Sequence, residues 1–405
     1  MFPNYSTEKG VKTMKFGTKL LHNGNEIDPI TGAASIPLYQ ASTFHQTDID
    51  HPGEFDYARS GNPTRKALEQ TIAELEGGVA GFACASGMAA ISTAFLLFSA
   101  GDHLVVSNDL YGGTFRVLTQ VLPRLGIEAT FVDTTDLTKV EEAIQANTKA
   151  LYIETPSNPT LKVTDLRGVA RIARDHSVIT MVDNTFMTPC FQRPLDLGAD
   201  LVIHSATKFI SGHSDVVSGL LVTQDREIAT RLSGLQNALG SILGVQDSWL
   251  TMRGLKTLKA RMDASTASAA KIAEGLKRIS GVERVFYTGL AEHPGHALQA
   301  SQASGHGAVL SFDLGSSERV RRVLSQVHLP IVAVSLGSVE SILSYPAKMS
   351  HAAMPVEERV ARGVTDGLLR LSVGLEDADD LLDDLERSIE GRRLYSVGEW
   401  RASIV

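Results

Sequence analysis

Between about residue 65 and residue 225, short apolar runs alternate with stretches of helical character, and this alternation restricts the chain to an α/β architecture on a mostly parallel sheet. Gly81–Ala85, Leu104–Ser107, Ala129–Val132, Ala150–Glu154, Ile179–Val182, Leu201–His204 and Val216–Val222 are expected as strands. Val140–Ala146 and Leu166–Asp175 are among the helices expected between them. Parallel neighbours require crossover connections, so helices cover both faces and ligands gather at the carboxyl ends of the strands.

The flanks differ from this centre. Residues 1–62 are rich in turn formers, with Pro29, Gly32, Pro37, Pro52 and Gly53, and read as an extended arm that must pack on something else. Residues 63–257 form the α/β domain. Residues 258–405 form a smaller α+β domain, entered through a long polar helix at Thr257–Ile279. Its strands are expected at Ala308–Phe312 and Val332–Val334, and Leu381, Leu382, Leu385 and Ile389 line one face of a last helix. Met14 is an alternative start to Met1, and the residues before it read as a tail.

A net charge of −8 gives no footprint for nucleic acid, so a small molecule is the expected partner. Cys84 and Cys190 form neither a disulfide framework nor a C-x-x-C pair, which suits a reducing cytoplasm. No secretory leader is legible in MFPNYSTEKGVKTMKF, and the apolar stretch at Ala89–Phe98 is too short and interrupted to span a bilayer.

The chemistry is concentrated at two strand ends. Met181-Val-Asp183-Asn-Thr-Phe closes one apolar run with a carboxylate. Val202-Ile-His-Ser205-Ala-Thr207-Lys208 follows another with two hydroxyls and an amine. Pyridoxal phosphate (PLP) needs such a set. A lysine of lowered pKa condenses with its aldehyde, a carboxylate keeps the pyridine nitrogen protonated, and hydroxyls with backbone N–H groups hold its phosphate. Taken singly, a strand-end Asp and a surface Lys are unremarkable. Ser86-Gly87-Met88-Ala-Ala adds a turn into a helix, whose free N–H groups suit an anion, although such turns are common as mere punctuation.

Taken together, the motifs resemble the Cys/Met-metabolism PLP enzymes, which include cystathionine synthases and lyases, methionine γ-lyase and the homoserine-ester sulfhydrylases. They are Tyr57-Ala-Arg59-Ser-Gly-Asn-Pro-Thr-Arg65, Ser86-Gly87-Met88, Tyr111-Gly-Gly-Thr, Glu154-Thr-Pro-Ser-Asn158-Pro, Val182-Asp183-Asn-Thr-Phe, Ser205-Ala-Thr-Lys208, Arg253-Gly-Leu-Lys-Thr-Leu and Leu369-Arg370-Leu-Ser-Val-Gly-Leu-Glu376. The resemblance runs through residues 17–390. It implies a type I, aspartate-aminotransferase-like fold and a homotetramer built as a dimer of dimers. By the same resemblance Lys208 carries PLP and moves substrate protons, Asp183 pairs with the pyridinium, and Gly87, Met88, Ser205 and Thr207 bind the phosphate. Tyr111 stacks on the ring and exchanges protons, and Arg370 grips the substrate carboxylate with Ser335 and Asn158. Tyr57 and Arg59 reach the phosphate of a neighbouring subunit.

Within the family, the glutamate that usually precedes Ser-Leu-Gly in γ-enzymes is Val334 here, and the cysteine that usually follows Tyr-Gly in methionine γ-lyases is Gly113. Gly244-Val-Gln-Asp-Ser-Trp249 and Ser344-Tyr-Pro-Ala-Lys-Met-Ser-His-Ala-Ala-Met-Pro355 resemble bacterial cystathionine β-lyases. β-Elimination of cystathionine is therefore expected. The alternatives are cystathionine γ-synthase or γ-lyase, methionine γ-lyase and O-acetylhomoserine sulfhydrylase activity. A catalytically silent regulator on the same fold would be expected to lack Lys208, Asp183 or Arg370, and all three stand. Gly212-His213-Ser214-Asp215 reads as a structural loop and no metal site is expected. Arg253, Lys256, Lys259 and Arg261 read as a solvated basic helix face, and the acidic cluster from Glu376 to Glu386 as favourable charge at a helix start.

Overall fold

A computed structural model of the chain describes residues 14–25, 27–352 and 354–392. Seven strands form the larger sheet: β1 Ala80–Cys84, β2 His103–Ser107, β3 Glu128–Val132, β4 Thr148–Glu154, β5 Ile179–Asp183, β6 Leu201–His204 and β7 Gly219–Thr223. Their order is β1-β7-β6-β5-β4-β2-β3, with only β7 antiparallel to its neighbours. The apolar runs are continuous rather than alternating because both faces are covered. Val105, Leu151, Ile153 and Val182 pack with the Leu166–Asp175 helix on one side. Leu104, Val106, Tyr152, Met181 and Ile203 pack with the Gly87–Phe95 helix on the other. The β4–β5 register sets Glu154 opposite Asp183 at the carboxyl edge of the sheet.

The smaller sheet has β8 Arg284–Phe286, β9 Val309–Asp313, β10 Ile331–Val332, β11 Ile342–Ser344 and β12 Leu368–Ser372, in the order β10-β11-β12-β9-β8. The helix Leu258–Leu276 joins the two halves. Leu258 and Met262 lie in the core under the larger sheet, while Ala269, Ile272, Ala273 and Leu276 lie in the core of the smaller one.

The seven large-sheet strands fall where the apolar runs predict them, although β7 begins only at Gly219. The strand expected at Val332–Val334 is the two-residue β10, and β8, β11 and β12 were not expected. Two of those three are only three residues long, too short for a periodic signal. Among its described residues the arm contains one helix, Phe16–His22, anchored by the buried Leu20. Arg261 corrects the expectation of a solvated face: it is buried and donates to the Phe209, Ile210 and Gly254 carbonyls at 2.6, 3.3 and 2.9 Å. Asp384 in the acidic cluster is also buried and accepts the His328 and Leu329 N–H groups. Among the described residues, no helix is long and apolar enough to cross a membrane.

Candidate active site

The carboxyl edge of the larger sheet faces the smaller sheet, and the residues singled out in the sequence, Tyr57 and Arg59 excepted, gather there in three groups. The first surrounds the start of the Gly87–Phe95 helix. Ser86 caps it, its Oγ accepting the Ala89 N–H at 3.0 Å, which leaves the N–H groups of Gly87 and Met88 without an intrahelical acceptor. Glycine is required at 87 because a Cβ there would stand 2.7 Å from Ser205 Cβ and Oγ. Ser205 thus lies directly against the open helix end. Thr207 is near in sequence, but its hydroxyl donates to the Ser218 carbonyl at 3.1 Å and accepts the Ser218 N–H at 3.0 Å.

The second group surrounds Asp183. Its Oδ1 accepts the Thr185 N–H at 3.1 Å and the Thr185 hydroxyl at 2.6 Å, and its Oδ2 accepts the Tyr152 hydroxyl at 3.2 Å. Thr185 in turn accepts the Ser205 N–H at 2.9 Å, linking this group to the first. Burial raises the Asp183 pKa, and the Thr185 hydrogen bonds oppose that rise. Tyr111 lies half-exposed beside this group. Its backbone N–H donates to Glu154 Oε2 at 2.9 Å, and a Cβ at Gly113 would stand 2.4 Å from its ring and 2.8 Å from Met88 Sδ.

The third group crosses between the sheets. Lys208 Nζ donates to Ser335 Oγ at 2.8 Å. Arg370 donates from Nη1 to Asn158 Oδ1 at 2.8 Å and from Nη2 to the Ser335 carbonyl at 2.7 Å. Its Nε is buried without a partner, a donor left for a ligand. Gly337, at φ 79°, allows the Ser335-Leu-Gly turn to rest on the Lys208–Phe209 backbone, where a Cβ would come within 2.5 Å of the Phe209 nitrogen. Burial, reinforced by Arg370, brings the Lys208 pKa down to about 8. Burial likewise brings Arg370 to about 10, with Glu154 opposing the shift.

Tyr57 and Arg59 are not drawn into these groups within one chain. Arg59 donates to the Asn237 carbonyl at 2.7 Å and lies over the exposed Tyr57 ring at 5.6 Å. Tyr152, Glu154 and Thr185 join the site without having been assigned a role from sequence. Thr185 carried a usable signal, since an Asp carboxylate commonly accepts the backbone N–H two residues on, as Asp183 does here. Among the described residues, no cluster of three histidine, cysteine or acidic side chains is placed to hold a metal.

The sequence pattern of the Cys/Met metabolism PLP-dependent enzymes matches residues 17–390. The chain belongs to this family. It is 59% identical over 373 residues to a cystathionine β-lyase of Bacillus subtilis (strain 168), covering 92% of this chain and 96% of that one. It is 53% identical over 377 residues to a cystathionine γ-lyase of the same organism, covering 93% of this chain and 100% of that one. The crystal structure of cystathionine γ-lyase from Lactobacillus plantarum complexed with L-serine superposes with a TM-score of 0.90 at 48% identity, covering 93% of this chain and 99% of that one.

The enzyme's cofactor is therefore PLP, and the side chains fit it. The glycine cradle at Gly87 keeps an N–H-lined helix end open beside Ser205 for a phosphate. The buried carboxylate of Asp183 suits a pyridinium, and the half-buried amine of Lys208 suits an aldehyde.

Proposed function

We propose that the enzyme is a carbon–sulfur lyase that cleaves L-cystathionine, with water, by β-elimination to homocysteine, pyruvate and ammonia. The observation that carries the reading is the meeting of Lys208 and Arg370 at Ser335. An amine able to lose its proton near neutrality stands beside a guanidinium with an unpartnered N–H. An amino acid whose carboxylate is held by Arg370 presents its Cα to Lys208. The choice of cystathionine and of the β position follows the relatives named as β-lyases and the apolar, exposed Val334 beside Ser335, where an acidic side chain would offer a contact to a distal ammonium.

Lys208 would hold PLP, with Asp183 toward the pyridine nitrogen, Tyr111 toward the ring, and Gly87, Met88 and Ser205 at the phosphate, which Thr207 would join by exchanging its hydroxyl's bond to the Ser218 carbonyl for one to the phosphate. When bound, PLP supplies the electron sink for the pair left at Cα after deprotonation. Lys208 takes the Cα proton. Asp183 would offer its charge to the pyridine nitrogen, with Thr185 fixing one of its oxygens and Tyr152 the other. Tyr111 or Lys208 gives a proton to the departing thiolate. Asn158 and Ser335 orient Arg370, so the substrate carboxylate meets an arginine already fixed in place.

The second reading, γ-elimination, draws on the likeness to the Bacillus subtilis γ-lyase. It requires removal of a further proton from Cβ, for which Lys208 and Tyr111 are also available. Incubation with cystathionine separates the two readings: pyruvate marks β-cleavage and 2-oxobutyrate marks γ-cleavage. Predominant 2-oxobutyrate would overturn the β assignment, and no keto acid from the PLP-loaded enzyme would overturn both.

For the assembly we infer a cytoplasmic homotetramer, a dimer of dimers whose arms pack on neighbouring chains through their described residues, 14–25 and 27–62. The exposed Ile30, Ile49 and Tyr57 support this reading. Residues 63–257 would form the cofactor domain and 258–405 the C-terminal domain.

A further inference from the structure

Glu154 ends β4 directly across from Asp183 in the parallel register, and both side chains are buried. Two buried carboxylates on adjacent strand ends cannot both stay charged cheaply. Burial and the neighbouring Asp183 and Asp109 charges push the Glu154 carboxyl well above its usual range, while the Tyr111 N–H and Arg370 act against them. A carboxyl that cannot readily hold its charge is poorly suited to stabilising Arg370 by charge alone, yet its oxygen remains a good hydrogen-bond acceptor. Glu154 Oε2 uses that capacity on one group, the Tyr111 N–H, at 2.9 Å.

Tyr111 depends on that bond more than a core residue would. The residue is 41% exposed, and among the described residues no hydrogen bond restrains its hydroxyl. The ring rests against Gly113, which offers no side chain to hold it, and near the thioether of Met88. Its direction is therefore governed by the backbone at 111, where the chain turns from Leu110 into the short helix Gly112–Arg116. Glu154 reaches this point from a rigid central strand, which is how a planar group is held at a fixed angle without enclosing it.

We propose that Glu154 is a positioning residue: by accepting the Tyr111 N–H it sets the angle at which the Tyr111 ring meets the cofactor. The inference rests on the assignment of Tyr111 to the cofactor face. A neutral acceptor suffices for this role. Glu154→Gln retains one, and Glu154→Ala removes it. A purely electrostatic role, acting through Asp183 or Arg370, requires Gln and Ala to behave alike, because both abolish the ionisable group.

The test uses the PLP-loaded enzyme and reads the visible circular dichroism of the bound cofactor, normalised to cofactor content, together with kcat and KM for cystathionine. Thermal unfolding of each variant checks the fold. Glu154→Ala is expected to change the dichroic band by half or more and to lower kcat by about tenfold or more with KM within about threefold. Glu154→Gln is expected to restore the band and most of kcat. Equal losses in Gln and Ala, or an unchanged band in Ala, would overturn the role. Tyr111→Leu is the control. If it leaves the band unchanged, Tyr111 does not face the cofactor and the underlying assignment fails. If it changes the band while Glu154→Ala does not, only the positioning role fails.

Discussion

Lys208 and Ser335 meet at 2.8 Å across the cleft between the two sheets, so the amine from the larger sheet is held by a turn belonging to the smaller domain. The same turn gives its Ser335 carbonyl to Arg370. The amine proposed to take the Cα proton and the guanidinium proposed to hold the carboxylate are thereby fixed to one element.

Lys208→Ala is expected to abolish turnover without loss of fold, and borohydride reduction of the native enzyme should place the pyridoxyl label on Lys208. The lowered pKa adds a pH dependence. A lysine amine is nucleophilic only when unprotonated. Uptake of PLP by the cofactor-free protein should therefore accelerate as pH rises and level off above about 8, rather than near the ordinary lysine value of 10.5. Stopped-flow absorbance measures the profile. A label on another lysine, or a rate still climbing steeply to pH 10, would contradict the assignment.

Asp183→Asn should preserve much of the shape around Thr185 and Tyr152 while removing the charge. Charge-assisted hydrogen bonds are about twice as strong as neutral ones, and loss of one partner from a buried pair costs on the order of 3–5 kcal/mol. Turnover should fall far more than cofactor content does, with the two measured side by side by steady-state assay and by absorbance of released PLP. Near-normal turnover in Asp183→Asn would remove Asp183 from the pyridine nitrogen.

These two residues were legible because each stands at the end of an apolar run, where a charged group has no reason to be buried unless a ligand or partner receives it. Glu154 lies at the end of an equally clear run, but its importance arises from the β4–β5 register and from Tyr111, which is distant in sequence. Arg261 was misread for a similar reason. Its helix carries basic residues on several sides, and only the fold brings the Phe209, Ile210 and Gly254 carbonyls to one of them. By holding the two carbonyls that follow Lys208, Arg261 braces the lysine's own turn. The smaller sheet was half missed because β8 and β11 are three residues long and gain their stability from pairing, not from local propensity.

His351 makes a prediction about acid stability. The side chain is buried beside Arg370, and burial first, then the arginine, lowers its pKa from 6.5 to about 4. Between those values the unfolded chain binds a proton that the folded one refuses, so stability falls as pH drops from about 6.5 to 4 and does not change further below that on this account. A shift of this size corresponds to a loss on the order of 3 kcal/mol across the window. His351→Asn should flatten that part of the profile, seen as a smaller change in the urea midpoint between pH 7 and pH 4.5 than in the native enzyme. Equal changes in both proteins would show that His351 is not the group titrating.

The last prediction concerns the sharing of sites between subunits. Within one chain Arg59 lies on the Asn237 carbonyl and the exposed Tyr57 ring, away from Lys208's contacts. A guanidinium at the surface of an arm is free to serve a neighbouring chain. Arg59→Ala should weaken phosphate binding, and Lys208→Ala should be inactive. In a mixed dimer the chain with intact Lys208 meets the other chain's intact Arg59, so one site is whole and the second carries both defects. With equal expression and free pairing under two-fold symmetry, about half of the dimers are mixed and about a quarter of all sites are restored. Co-expressed variants, purified through two different tags so that only mixed assemblies are assayed, should exceed the Arg59→Ala background clearly. If assemblies shown by intersubunit crosslinking to contain mixed dimers are no more active than the average of the two parents, Arg59 serves its own chain and the shared site is disproved.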